Sequence, residues 1–177
     1  MGIFSSKQEL SIITCGLDNS GKSTIINQLK PVKLRTDNIA ATIGYNVEKF
    51  QKGNANFKVF DMAGAKKYRS MWEAYYEDVH AVIFVIDSSD KVRMCVVKDE
   101  VKHLSDHKDL KKCPILFYAN KMDIPGSRTP HELVEELELT EMLMDRPFNI
   151  FASDARRGFG IEEGMNWLTR EVLTKKR

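Results

Sequence analysis

Gly16-Leu17-Asp18-Asn19-Ser20-Gly21-Lys22-Ser23 fits G-x-x-x-x-G-K-[ST], a loop that wraps nucleoside phosphates. The pattern has a mechanism. Successive backbone N–H groups line a concavity that suits a polyphosphate, and the helix that follows adds free N–H groups and a positive end. Gly16 and Gly21 permit torsions and close approaches that a side chain would block. In this reading Lys22 neutralises the β- and γ-phosphates, Ser23 binds Mg²⁺, and Asp18, Asn19, Ser20, Gly21 and Thr24 complete the cradle.

The flanks match what such a loop needs. Leu10-Ser11-Ile12-Ile13-Thr14-Cys15 is a short apolar, β-branched run. Ile25, Ile26 and Leu29 are spaced for one face of a helix, and Pro31 stops it. A plain glycine turn before an ordinary helix is the competing reading, and the strand–loop–helix context opposes it.

Outward from the loop, strand-like and helical segments alternate. Strands are expected at Ser11–Cys15, Asn46–Gln51, Phe57–Phe60, Ala81–Ile86, Ile115–Ala119 and Phe148–Phe151, with Lys52-Gly53-Asn54 as a hairpin turn. Met94, Val97, Val101 and Leu104 predict one amphipathic helix, and Ile161, Met165, Leu168 and Val172 another. Thr129-Pro130-His131-Glu132 reads as a capping box with Pro at the first helical position. Short, almost wholly apolar strands between helices imply an α/β fold of the P-loop NTPase kind. Its sheet has six strands, mostly parallel with one antiparallel, and helices on both faces. We expect one domain over residues 11–177 behind a short extension, residues 1–10.

Composition narrows the function classes. A net charge of +2 over 177 residues exerts no strong pull toward nucleic acid. No apolar run approaches the about 18 residues of a membrane span. Cys15 and Cys113 sit in apolar runs, and three cysteines are an odd set, which reads as free thiols in a reducing, cytoplasmic setting.

In doubly wound sheets ligands bind at the carboxyl ends of strands, so polar motifs should follow the apolar runs. They do: Asp61-Met62-Ala63-Gly64, Asn120-Lys121-Met122-Asp123 and Ala152-Ser153-Asp154. Asp61 can hold Mg²⁺ through water, Thr42 can offer a hydroxyl to the same metal, and Gly64 can present an N–H to a γ-phosphate. Each has a plainer reading, as a cap, a loop threonine or a turn glycine. Asp123 can accept two parallel hydrogen bonds from N1–H and the exocyclic amine of guanine, a donor pair adenine lacks. Asn120 can bond the base edge and brace the loop, and the Lys121 stem can lie along the ring.

With these segments in order, the chain resembles a small Ras-superfamily GTPase, and more narrowly the ADP-ribosylation-factor (Arf) branch. Gly16-Leu17-Asp18, Thr42-Ile43-Gly44, Trp72-x-x-Tyr75-Tyr76 and Gly164-Met165-Asn166-Trp167-Leu168 carry that resemblance. Phe60-Asp61-Met62, Ile86-Asp87-Ser88-Ser89-Asp90, Arg93-Met94 and Ala152-Ser153-Asp154-Ala155 look most like the ciliary Arf-like subgroup that recruits the Bardet–Biedl syndrome coat complex to membranes. The resemblance implies a monomeric GTP/GDP switch with Mg²⁺, at peripheral membrane or the ciliary base. It implies that Ser23, Thr42 and Asp61 serve the metal and that Lys22, Thr42 and Gly64 contact the γ-phosphate. Guanine would be held by Asn120, Lys121, Asp123 and the Ala152 backbone with Ser153. It also implies that the hairpin from Tyr45 to Phe60 slides in register on GTP binding. Tyr45, Phe60 and Tyr75 would form an exposed aromatic cluster where an effector or coat docks, alongside an exchange factor and an activating protein.

Two departures stand out. Ala65 follows Gly64 where most of the superfamily has the Gln that orients the attacking water, so hydrolysis is expected to be very slow unaided. Too few residues precede the first strand for the usual amphipathic helix, while Met1-Gly2-Ile3-Phe4-Ser5-Ser6 fits a myristoylation pattern. Two other classes stay open: a P-loop small-molecule kinase and a nucleotide-independent adaptor. Absence of a lid-length insertion and the Asn120–Asp123 motif oppose the first. Intact Lys22, Ser23, Thr42 and Asp61 oppose the second.

Overall fold

A computed structural model describes residues 8–174. The myristoylation pattern at the N-terminus lies outside the described residues. Six strands form one sheet in the order β2-β3-β1-β4-β5-β6. They are β1 (Gln8–Cys15), β2 (Tyr45–Lys52), β3 (Ala55–Met62), β4 (Ala81–Asp87), β5 (Ile115–Asn120) and β6 (Phe148–Ala152). All neighbours run parallel except β2 against β3. β1 begins at Gln8, three residues ahead of the expected start, because Gln8, Glu9 and Leu10 continue the pairing with β3.

Strand alternation explains the two layers of core. Leu10 and Ile12 of β1, with Ile83 and Val85 of β4, face one side. Ile13 and Cys15, with Val82, Phe84 and Ile86, face the other. Each such buried aliphatic side chain contributes about 1.5–3 kcal/mol of transfer free energy, so both faces must be covered. Helices α1 (Lys22–Leu29) and α5 (Ile161–Thr174) cover the first face through Ile25, Ile26, Leu29, Met165 and Leu168. Helices α2 (Met94–Asp106), α3 (Pro130–Glu136) and α4 (Leu139–Met142) cover the second through Val97, Val101, Leu133 and Leu139.

Local signals act where they were expected. The β2–β3 loop is Gly53-Asn54, flanked by the Lys52–Ala55 pair, with Gly53 at φ 57°. The Thr129 hydroxyl accepts from the Glu132 N–H at 3.2 Å, and the Glu132 carboxylate accepts from the Thr129 N–H at 2.7 Å. The segment around Trp72, Lys66–Asp78, is a run of 3₁₀ turns. Runs of that length are uncommon and mark hinges or strained sequence. Trp72 anchors this one, fully buried with its indole N–H donating to the Ala63 carbonyl at 3.1 Å.

Candidate functional site

β1 delivers the phosphate loop to the carboxyl edge of the sheet, and α1 begins at Lys22. Gly16 sits at φ 138°, where a Cβ would stand 2.3 Å from the Val85 carbonyl oxygen. Gly21 sits at φ 98°, and its Cβ would stand 2.2 Å from the Asn120 amide nitrogen. Both positions therefore need glycine for backbone and for space. The loop lines a cavity of about 350 Å³ whose walls include Asp18, Asn19, Lys22, Thr24, Thr42 and Gly64. That volume lies in the usual range for small-molecule sites.

Three oxygen-bearing side chains from three elements meet beside this cavity. The Ser23 hydroxyl donates to Asp61 Oδ2 at 2.6 Å. Thr42 Oγ1 lies 2.9 Å from Ser23 Oγ and donates to the same Asp61 oxygen at 3.3 Å. Asp61 is buried, and among the described residues its Oδ1 has no hydrogen-bond partner. Two hydroxyls and a carboxylate with a free buried oxygen form a hard-oxygen donor set that fits Mg²⁺. Burial raises the Asp61 pKa, opposed by the Ser23 hydrogen bond and the Lys22 charge. Lys22 itself is buried, which lowers its pKa to about 8, and its ammonium donates to the Leu17 carbonyl at 2.8 Å. An anion in the cavity would give that ammonium a better partner.

Gly64 packs directly on the loop: a Cβ there would lie 2.3 Å from the Asp18 nitrogen. Ala65 is on the cavity wall beside it and brings only a methyl group.

A second cavity of about 250 Å³ shares Asn19, Gly21 and Thr24 with the first and continues to Asn120, Lys121 and Asp123. Asn120 braces this end. Its amide donates to the Ser20 carbonyl at 2.9 Å, and its Oδ1 accepts from Ser153 Oγ and from the Ala155 N–H, both at 3.1 Å. Lys121 has φ 65° and its ammonium pairs with Asp87 at 2.6 Å.

Ala152 and Ser153 do not line this cavity. Ala152 still pairs with Ala119 in the sheet, and the Ser153 N–H donates to the Ala119 carbonyl at 2.8 Å. The chain turns to the cavity only afterwards, so Asp154, Ala155 and Arg156 form the wall. The sequence reading names Ala152 and Ser153 for this wall and misses Ala155, three residues on, because no local signal marks where β6 ends. Gln28 of α1 secures the observed choice by donating to the Ala155 carbonyl at 3.0 Å.

The aromatic cluster assembles with one change. Tyr75 lies 4.8 Å from Tyr45 and 5.1 Å from Phe60, ring centroid to centroid. Tyr45 is 40% exposed, but Phe60 is only 5% exposed, covered by Tyr75 and by the Lys58 ammonium over its ring. Phe60 is thus the floor of the patch, and Ile43, Tyr45 and Val47 are its exposed part.

Relatives agree with this architecture. The sequence profile of the ADP-ribosylation factor family matches residues 1–172. ADP-ribosylation factor-like protein 6 of Danio rerio is 46% identical over 172 residues, covering 96% of this chain and 92% of that protein. Its Caenorhabditis elegans counterpart is 42% identical over 182 residues, covering 97% and 95%. Among solved structures, the Arl6 BBS3 small GTPase from Trypanosoma brucei, with bound nucleotide analogue GppNp, matches at TM-score 0.89 and 50% identity. That match covers 94% of this chain and 99% of the other.

Proposed function

The chain belongs to the ADP-ribosylation factor family as an Arf-like small GTPase, and on that premise we propose that it is a GTP/GDP switch with very slow hydrolysis of its own. The observation that carries the reading is the convergence of Ser23, Thr42 and Asp61 beside a cavity lined by the phosphate loop, next to a second cavity that reaches Asp123. Lys22 and the loop N–H groups bind the phosphates. Ser23 and Thr42 would hold Mg²⁺ with Asp61 behind them, and the metal would neutralise phosphate charge. Asp123 selects guanine, with Ala155 on the same cavity wall. Thr42 and Gly64 sense the γ-phosphate, and the GTP form presents Tyr45 and Tyr75 over Phe60 to an effector or coat at a membrane. The protein's proposed place of action is ciliary trafficking, the role implied by the subgroup resemblance of the sequence.

Nucleotide released from the purified, denatured protein tests the reading. Guanine nucleotide supports the switch. Adenine nucleotide would favour a small-molecule kinase, and none would favour a nucleotide-independent adaptor.

A further inference from the structure

Two arginines from outside the phosphate loop converge on it. Arg93 donates to Asp18 Oδ1 at 2.8 Å and to the Asp18 carbonyl at 3.1 Å, while its Nε bonds Asp90. Arg69, within the 3₁₀ segment, donates from Nε to the Gly64 carbonyl at 2.9 Å and from Nη1 to Glu100 Oε1 at 2.9 Å. Its Nη2 stands 4.0 Å from Asp18 Oδ1. The Arg69 and Glu100 side chains are 13% and 18% exposed, so this pair is shielded from solvent in a way surface pairs are not.

The two arginines do different work. Arg93 holds the phosphate loop itself, which every nucleotide touches. Arg69 holds Gly64, the group that faces only a γ-phosphate. The preceding residue, Ala63, is tied to the core through Trp72. Beyond it the chain leaves the sheet, and the Gly64 carbonyl accepts from the Arg69 side chain. At position 65 the methyl of Ala65 offers no amide to hold the turn from inside the cavity.

We infer that Arg69 is a positioning residue: anchored by Glu100 on α2, it holds Gly64 against the phosphate loop and so favours nucleotide that carries a γ-phosphate. The inference rests on the reading of Gly64 as a γ-phosphate contact. A ligand shifts a conformational balance only by its differential affinity for the two states. GDP makes no contact at Gly64, so loosening that turn leaves GDP affinity unchanged and weakens GTP affinity.

Dissociation of fluorescent (mant) GDP and of the fluorescent non-hydrolysable GTP analogue mant-GppNHp, each in Mg²⁺, is measured for wild type, Arg69→Ala, Arg69→Lys and Glu100→Gln. The expected result is about tenfold faster release of the GTP analogue from Arg69→Ala, within the usual span of coupling energies, with GDP release within about twofold of wild type. Arg69→Lys, whose ammonium reaches one acceptor at a time, falls between. Glu100→Gln, nearly isosteric, shows the same selectivity and carries the test if Arg69→Ala does not fold. Equal acceleration of both nucleotides, or of neither, overturns the inference while leaving the switch reading intact. Wild type that retains neither nucleotide removes the premise, and the inference with it.

Discussion

Asn120 and Gly21 occupy one volume: the Asn120 amide nitrogen lies 2.2 Å from where a Gly21 Cβ would stand. That amide donates to the carbonyl of Ser20, so the residue that ends β5 holds the phosphate loop from behind. The contact joins the base end of the groove to its phosphate end across about a hundred residues of chain.

Gly21→Ala meets both a left-handed backbone and that amide. Strain of this kind costs on the order of 1–3 kcal/mol, and the Asn120–Ser20 bond is lost with it. We expect a lower melting temperature together with at least tenfold weaker mant-GDP binding. A variant that binds like wild type would mean that Asn120 does not brace the loop.

Asp123→Asn replaces an acceptor pair with an amide that presents a donor. The exocyclic amine of guanine then faces a donor, N1–H keeps only a neutral acceptor, and charge-assisted hydrogen bonds are worth about 1.5–3 kcal/mol each. GDP affinity should fall by two or more orders of magnitude, on the order set by those bonds. Xanthosine diphosphate, which has a carbonyl in place of the amine, should bind better than GDP. Titration of both nucleotides checks this.

Ala65→Gln restores a side chain able to orient water at the cavity wall. Single-turnover hydrolysis of GTP should accelerate relative to wild type, toward the order of 10⁻⁴ s⁻¹ typical of unaided Ras-like proteins. Equal rates would mean that Ala65 does not limit the chemistry.

Thr129→Ala removes the reciprocal cap of α3 and should cost about 1 kcal/mol in a urea or thermal melt. The capping box also carries a pH dependence. The Thr129 N–H and hydroxyl hold the Glu132 carboxyl below the usual carboxylate range. A group depressed in the folded state stabilises it above its unfolded pKa, and that contribution disappears as pH falls through the folded value. Between neutral and acidic pH, Glu132→Gln should therefore lose less stability than wild type. Parallel melting curves for the two would contradict this.

Much of the site could be read from linear patterns, because those patterns are local physics. The positive φ of Gly16 and Gly21, the alternation in β1 and β4, the Thr129 cap and the helix faces of α2 and α5 each depend on neighbours a few residues away. Strand ends followed by polar motifs are enough to foretell where a ligand lies in a parallel sheet. Residues 152–156 were harder. Which alanine reaches the cavity wall depends on how far β6 stays paired to β5, and the Ser153 bond to Ala119 extends that pairing by one residue. Phe60 gave no local sign that Tyr75 and Lys58 would bury it.

The alternation of strands and helices, the two-sided core and the motifs that line the groove follow from periodicity and spacing, since hydrophobic alternation and glycine torsions act within a turn or a strand, whereas the strand order β2-β3-β1-β4-β5-β6 is set by tertiary pairing. Packing alone brought Arg69 to Gly64 and Glu100, Asn120 to Ser20, and Ala155 to the groove. Those contacts span loops whose closure is governed by chain entropy and by the fit of distant surfaces, and no local pattern records them.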